Sequence, residues 1–382
     1  MGLRHRMKRR ITLVCGSWPP MRCGVGDFSY RLASELSISG NQVSVVTDQR
    51  ARREDRPTIN VFPVISQWGP TALWRVFSAI KKTDPDVVNL QYPTVRYPRF
   101  SLVDLLPIVL RRFLHKPVVT TLHEYSTFRA LGRFRVESLA RGSTAVIIPD
   151  VQNHMLLSAS LPTIRDRMHY IPLGSSIIPP EDSEFDRDAW RQAHGLSPNT
   201  LMLVYFGFIS PSKGVDIMLQ AISQLPATLP VHLWLLADQE PSAPQYTAYH
   251  LKIAAQIEVF SKRYPITWTG YLPTSSVSEH LLAADLAVLP FTDGASLRRS
   301  SLLACIAHGL PVLSTGNYSP CPGVTVVPVG DVTALAQAAL DLGARPHTLA
   351  LLRQQATQTA TQLSWPAIAK KTSSCFSQYI SH

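Results

Sequence analysis

The chain has 382 residues, too many for one ordinary hydrophobic core and about right for two domains of roughly 180 residues each. Its 45% apolar residues, 19 Gly and 30 Pro exclude a disordered or low-complexity protein. The net charge of +11 is uneven: residues 1–174 hold 25 Lys and Arg against 12 Asp and Glu, or +13, and the remainder holds 12 against 14, or −2. A basic half calls for an anionic partner such as a membrane surface, a lipid phosphate or a polyanion, unless it is simply a solvated face.

In chain order, Met1 to Arg10 is basic enough for a leader. The apolar run Ile11–Cys15 is too short for a signal-peptide core, runs into Pro19-Pro20 and reads as a first strand. Gly24-Val25-Gly26-Asp27-Phe28 then opens a helix over Ser29–Ser37, and a glycine turn there exposes backbone N–H groups to an anion, making Gly24, Val25, Gly26 and Asp27 a candidate acceptor or phosphate loop. Two other readings stand beside it. One is a dinucleotide-binding turn, although the third Gly or Ala is missing and Asp48 is the only acidic residue in the usual window; the other is a plain tight turn.

Further strands are expected at Gln42–Thr47, Val87–Gln91, Val118–Leu122 and Ala145–Pro149. The apolar stretch Leu102–Leu114 carries Asp104, Pro107, Arg111 and Arg112 and is too polar to span a bilayer, so no transmembrane segment is expected. Within Leu105–Lys116, Leu106, Val109, Leu110 and Phe113 share one helical face, with Arg111, Arg112 and Lys116 beside or opposite it. That face either covers the domain's own sheet or rests on an anionic membrane.

A Pro-rich break from Ile171 to Pro180, followed by the acidic run Glu181–Asp188, places a domain boundary near residue 175. The expected domains are residues 8–174 and 175–364, with 365–382 as a closing segment. Strands resume at Leu201–Phe206, Val231–Leu236, Ile266–Thr269, Leu286–Pro290, Pro311–Ser314 and Val324–Val327. Strand–helix alternation occurring twice specifies an α/β chain of two doubly wound parallel-sheet domains, whose ligands bind beyond the carboxyl ends of the strands.

Lys213 precedes Gly214 and a helix and is placed to meet a phosphate that also feels the helix dipole. In Leu286–Val312, Ser296 is expected to cap a helix whose first turn holds Leu297, Arg298 and Arg299. Two cations there oppose the dipole, so an anion is expected to compensate them, unless one arginine simply points to solvent. Five scattered cysteines without a C-x-x-C pair fit a reducing, cytoplasmic setting, and no His/Asp/Glu cluster has metal-ligand spacing, so no metal is expected.

Together these residues resemble the family-4 retaining glycosyltransferases of the GT-B fold. The resemblance rests on Pro19-Pro20 with Gly24-Val25-Gly26, His123-Glu124 after a strand, Ile171-Pro172-Leu173-Gly174, Gly207 with Lys213-Gly214, Gly270-Tyr271, Ala284-Asp285, Pro290 and Ala307–Val312. It implies two Rossmann-like domains facing across a cleft, a last helix from Ser364-Trp365-Pro366 to Ile380 returning to the N-terminal domain, and a nucleoside diphosphate sugar as donor. It further implies transfer to an acceptor sugar, glycolipid or lipid-linked glycan with retained configuration, without metal or nucleic acid. By the same resemblance His123 lies near the donor sugar, Glu124 orients the acceptor or caps a helix, Lys213 serves catalysis and diphosphate binding, and Gly207, Phe208 and Tyr271 border the base and ribose. His154 and His308 read as structural. Two departures stand out: Phe208 replaces the family arginine after the glycine, and Ser296 and Ala304 replace its paired glutamates. Arg298 and Arg299 are the expected substitutes for the lost charge. A silent scaffold protein and a nucleotide-sugar epimerase remain alternatives on this fold.

Overall fold

The computed structural model describes residues 9–21, 23–51, 59–93, 97, 101–180, 185–239 and 244–380. The basic start up to residue 8 and residues 181–184 of the acidic run lie outside the described residues. The chain forms two compact units, Met1–Ser176 with Trp365–His382, and Ile177–Ser364.

The first unit is built on strands β1 (Arg10–Val14), β2 (Gln42–Asp48), β3 (Ile59–Ile65), β4 (Val87–Tyr92), β5 (Val118–Leu122), β6 (Ala145–Ile148) and β7 (Met168–Tyr170), in parallel order β3-β2-β1-β4-β5-β6-β7. Every residue of β4 and β5 is buried, as expected for central strands covered on both faces. The two edge strands escaped the sequence reading. β3 contains Pro63, which cannot donate to a ladder and is tolerated at an edge, and β7 has only three residues.

Its helices are α1 (Gly24–Ile38), α2 (Pro70–Thr83), α3 (Leu106–Phe113), α4 (Ala130–Gly142) and α5 (Val151–Ser160), to which the chain's last helix is added. That last helix packs on α1, and its Trp365 Nε1 donates to the Ser175 carbonyl at 2.7 Å. A side chain at Gly174 would collide with the Trp365 ring at 2.9 Å, which explains the glycine before the boundary.

The expected single apolar face of α3 is divided in the structure. Leu106 and Leu110 are buried in the core, whereas Phe113 is 66% exposed. The sheet claims the first pair because burying a leucine is worth about 1.5–3 kcal/mol. No helix among the described residues is long and apolar enough to cross a membrane.

The second unit carries β8 (Leu201–Phe206), β9 (Val231–Leu236), β10 (Ile266–Trp268), β11 (Leu286–Leu289), β12 (Val312–Thr315) and β13 (Val324–Val327), in parallel order β10-β9-β8-β11-β12-β13. Helices α6 (Arg187–Ala193), α7 (Val215–Ser223), α8 (Thr247–Phe260), α9 (Thr274–Ala283), α10 (Ser300–Ala307), α11 (Val332–Gly343) and α12 (Pro346–Gln362) accompany it, and α13 (Trp365–Ser377) is the helix returned to the first unit. Asp285, just before β11, is ion-paired with Arg187 and with Arg191 (3.0 Å) and accepts from the Met202 amide. The Ala284-Asp285 pair therefore ties α6 to the amino ends of β8 and β11. His308 bonds Ser278 Oγ and the Ala304 carbonyl, both at 2.7 Å, a structural role.

Candidate functional site

In each sheet the first and fourth strands lie side by side, β1 against β4 and β8 against β11, and the order reverses there. The carboxyl ends at such a switch point open the crevice where parallel sheets bind ligands. In the second unit the loops after β8 and β11 carry Gly207, Phe208 and Lys213 on one side and Phe291, Arg298 and Arg299 on the other.

These loops interlock. Thr292 donates its amide to the Ser212 carbonyl at 3.2 Å, and Gly214, at φ +67°, lies so close to Pro290 that a Cβ would sit 2.0 Å from its carbonyl oxygen. Only glycine permits that approach and that backbone conformation. The contact carries Lys213 to the ring of Phe291, with Nζ 5.3 Å from the centroid. The Arg299 guanidinium lies 4.8 Å from the same centroid. Two cations thus converge on one buried aromatic ring, each within cation–π range. Arg299 is also ion-paired with Asp293, which is 58% exposed.

Beside them, the space that a Gly207 side chain would fill is bordered by Ser301 Oγ at 3.7 Å. Ser301 is buried in the first turn of α10, and its Oγ has no hydrogen-bond partner among the described residues. Two cations, a helix start and an unsatisfied hydroxyl fit the oxygens of a diphosphate.

The expected start of this helix needs correction. α10 begins at Ser300, so Ser296 does not cap it. Ser296 instead accepts the Arg299 amide in a turn through Leu297 and Arg298, and Arg299 occupies the cap position without a side-chain cap bond. Asp293 and the short turn compensate Arg299 before any helical residue is reached. Ala304 is buried in the core, and Phe208 is 41% exposed, with its carbonyl accepting from Tyr205 Oη. Tyr271, after Gly270 at φ +68°, is 73% exposed.

In the first unit the expected glycine loop is the first turn of α1 itself. A Cβ on Gly26 would sit 3.0 Å from the Ser17 carbonyl oxygen, so the glycine allows the β1 loop to lie on the helix. Asp27 already supplies a negative charge at that helix start; desolvation raises its carboxyl pKa and Arg31 opposes the rise. Asp48 is buried and held by Arg50 at 3.0 Å, so the acidic residue of the dinucleotide reading is engaged within its own turn.

His123 follows β5 and donates its amide to the Tyr92 carbonyl of β4 at 2.7 Å. Its Nε2 lies 2.8 Å from Gln91 Oε1, and the ring of Phe28 stands edge-on at 5.1 Å. Burial pushes its pKa down to about 4, so the ring is neutral at pH 7. Glu124 Oε1 accepts from the Tyr125 amide and from Ser126 Oγ, both at 3.0 Å, the local capping role.

Two family models match the chain, one in each unit: Glycosyltransferase Family 4 over residues 23–175 and Glycosyl transferases group 1 over residues 200–344. The chain belongs to the family-4 glycosyltransferases of the GT-B fold. Among curated proteins it is 26% identical to the lipopolysaccharide glucosyltransferase WaaG of Escherichia coli K12, over 48% of this chain and 45% of WaaG. The chain spans about half the length of the curated relatives it matches.

Among solved structures, sucrose-phosphate synthase of Thermosynechococcus elongatus aligns with TM-score 0.69 at 18% identity, over 97% of this chain and 99% of that one. Anabaena Alr3699/HepE in complex with UDP aligns with TM-score 0.73 at 16% identity, over 97% and 100%. At such identities the likeness is one of fold.

Several residues of this glycosyltransferase were not singled out from sequence. Phe291 was hidden because an aromatic residue after a buried strand usually reads as core, and Ser301 because a serine early in a helix is common. Asn89 and Gln91 were hidden inside an apolar strand, although two amides two residues apart in a fully buried strand are a signal of a polar network.

Proposed function

We propose that this glycosyltransferase moves a sugar from a nucleoside diphosphate sugar to an acceptor hydroxyl with retained anomeric configuration. The observation that carries the reading is the convergence of Lys213 and Arg299 on Phe291 at the switch point of the second unit, beside Gly207 and the unsatisfied Ser301 hydroxyl. The bond from the anomeric carbon to the diphosphate oxygen breaks, a bond to the acceptor oxygen forms, and the acceptor hydroxyl proton passes to the departing diphosphate. Lys213, Arg298 and Arg299 neutralise the charge that develops on the departing diphosphate, a task we assign to side chains and a helix start rather than to a metal. Gly207, Phe208 and Tyr271 border the nucleoside. His123 positions the glycosyl group, and no side chain is assigned as a covalent nucleophile. The α1 start with Gly24, Val25, Gly26 and Asp27 serves the acceptor.

We further propose that the acceptor is membrane-proximal, a glycolipid or lipid-linked glycan of the kind used for cell-surface glycans. The +13 charge of residues 1–174 supports peripheral attachment to an anionic leaflet at the cytoplasmic face. Each nearby cation contributes about 1 kcal/mol. Co-sedimentation with anionic but not neutral liposomes at low salt is the expected result.

Calorimetry with UDP, ADP, GDP and CDP tests the donor site. At least one should bind, and Lys213→Ala or Arg299→Ala should each weaken it by about 1.5–3 kcal/mol. Unchanged affinity in both variants would remove the assignment. Product anomericity read by NMR decides retention.

A further inference from the structure

Beneath His123 a chain of buried amides runs along β4. Asn89, Gln91 and Thr121 are all buried, and Gln91 pairs with Thr121 in the β4–β5 register. Asn89 Nδ2 lies 2.9 Å from the Val119 carbonyl oxygen and 3.0 Å from Thr121 Oγ1. Gln91 Nε2 lies 2.5 Å from Asn89 Oδ1 and 3.4 Å from Thr121 Oγ1. Gln91 Oε1 then meets His123 Nε2 at 2.8 Å.

Amide flips and imidazole tautomers are settled by such networks, and this one has a fixed anchor. A backbone carbonyl only accepts, so the atom of Asn89 facing Val119 is the NH2 group and the atom facing Gln91 is the oxygen. Gln91 must then turn its NH2 group toward Asn89, which leaves its oxygen toward His123. An amide oxygen only accepts, so the proton between them belongs to His123 Nε2. A neutral imidazole carries one N–H, and Nδ1 is left with its lone pair.

We infer that Gln91 is a positioning residue that fixes His123 as the Nε2–H tautomer, so that Nδ1 accepts a hydrogen bond from a ligand hydroxyl and donates none. The depressed pKa of the ring agrees with this, since burial keeps it from gaining the second proton at neutral pH. Among the described residues none hydrogen-bonds Nδ1. The Phe28 ring, edge-on at 5.1 Å, packs beside the imidazole. The polarity has a chemical consequence: a sugar hydroxyl that must donate is recognised, and a deoxy or O-methyl sugar at that position is not. This consequence rests on the assignment of His123 to the glycosyl group; the tautomer itself does not.

The experiment is a long-range proton–nitrogen correlation spectrum of the full chain labelled with 15N-histidine at pH 7, with His123 identified by its loss in His123→Gln. The expected spectrum has a protonated Nε2 and an unprotonated Nδ1. A proton on Nδ1 in the wild-type spectrum would overturn the inference. Gln91→Met should convert the His123 signals to a tautomer mixture and lower kcat by about tenfold, the lower end of the range for outer partners of metal-bound histidines, with nucleotide affinity unchanged. An unaltered His123 spectrum in Gln91→Met would equally refute it. If no nucleoside diphosphate binds, the donor reading fails while the wild-type spectrum still reports the tautomer.

Discussion

The two sheets place the same pair of strands at the centre and open the same crevice at the carboxyl ends, yet the two crevices hold different chemistry. In the second unit Lys213 and Arg299 flank one aromatic ring at loops locked together through Gly214 and Pro290. In the first unit the corresponding strands support a neutral chain, Asn89 to Gln91 to His123, from which charge is excluded by burial. Topology chooses where a ligand binds, and the side chains delivered there choose between holding an anion and holding an uncharged, directional hydrogen bond. A transferase of the kind proposed, holding a diphosphate and orienting a sugar, would have use for both.

The glycines sharpen the contrast most strongly. Gly214 has positive φ and a backbone oxygen in the place of its Cβ, whereas Gly24, which follows the first strand of the other unit, has nothing within 4 Å. Gly214→Ala should therefore cost more than about 3 kcal/mol in urea unfolding and weaken nucleotide binding with it. Gly24→Ala, in the first turn of α1, should be neutral or stabilising by up to about 1 kcal/mol. Equal effects would break the comparison.

The neutral crevice has its own signature in pH. The His123 pKa falls to about 4 in the folded chain from an unfolded value near 6.5, so between those values the unfolded chain binds the proton that the folded chain refuses. Stability then rises with pH across that window and is lost as pH falls from about 6.5 to 4, by roughly 2–3 kcal/mol. Denaturant midpoints at pH 4.5 and 7 should show this, and His123→Gln should remove much of the difference.

The charged crevice is sharpened by its carboxylate. Asp293 holds Arg299 from an exposed position, and it repels an incoming anion. Asp293→Asn should tighten nucleoside diphosphate binding by about 0.5–1 kcal/mol, roughly two- to fivefold in Kd. Weaker binding would mean that Asp293 orients Arg299 rather than competing with the ligand.

Much of this was legible in the order of residues alone. Runs such as Val118–Leu122, Leu201–Phe206, Val231–Leu236 and Val324–Val327 were read at the bounds they hold, because each is a short run rich in apolar and β-branched residues. Lys213-Gly214 and the two arginines were singled out because cations beside a helix start oppose its dipole and invite an anion.

What the sequence could not decide is whatever depends on two distant segments meeting. Pro63 made an edge strand unreadable, because its tolerance depends on having no neighbour on one side. Ser296 lost its expected capping role because the helix start was shifted by a turn and by the Asp293 ion pair. Phe291 became the meeting point of two cations only once Gly214 touched Pro290. The polarity of His123 was set by a carbonyl of Val119, thirty residues from Asn89 in sequence and in contact only through the sheet. Periodicity and composition act along the chain and determined the strands, the two units and their charge asymmetry. Hydrogen-bond direction and close approach act across it, and only the tertiary structure decided them.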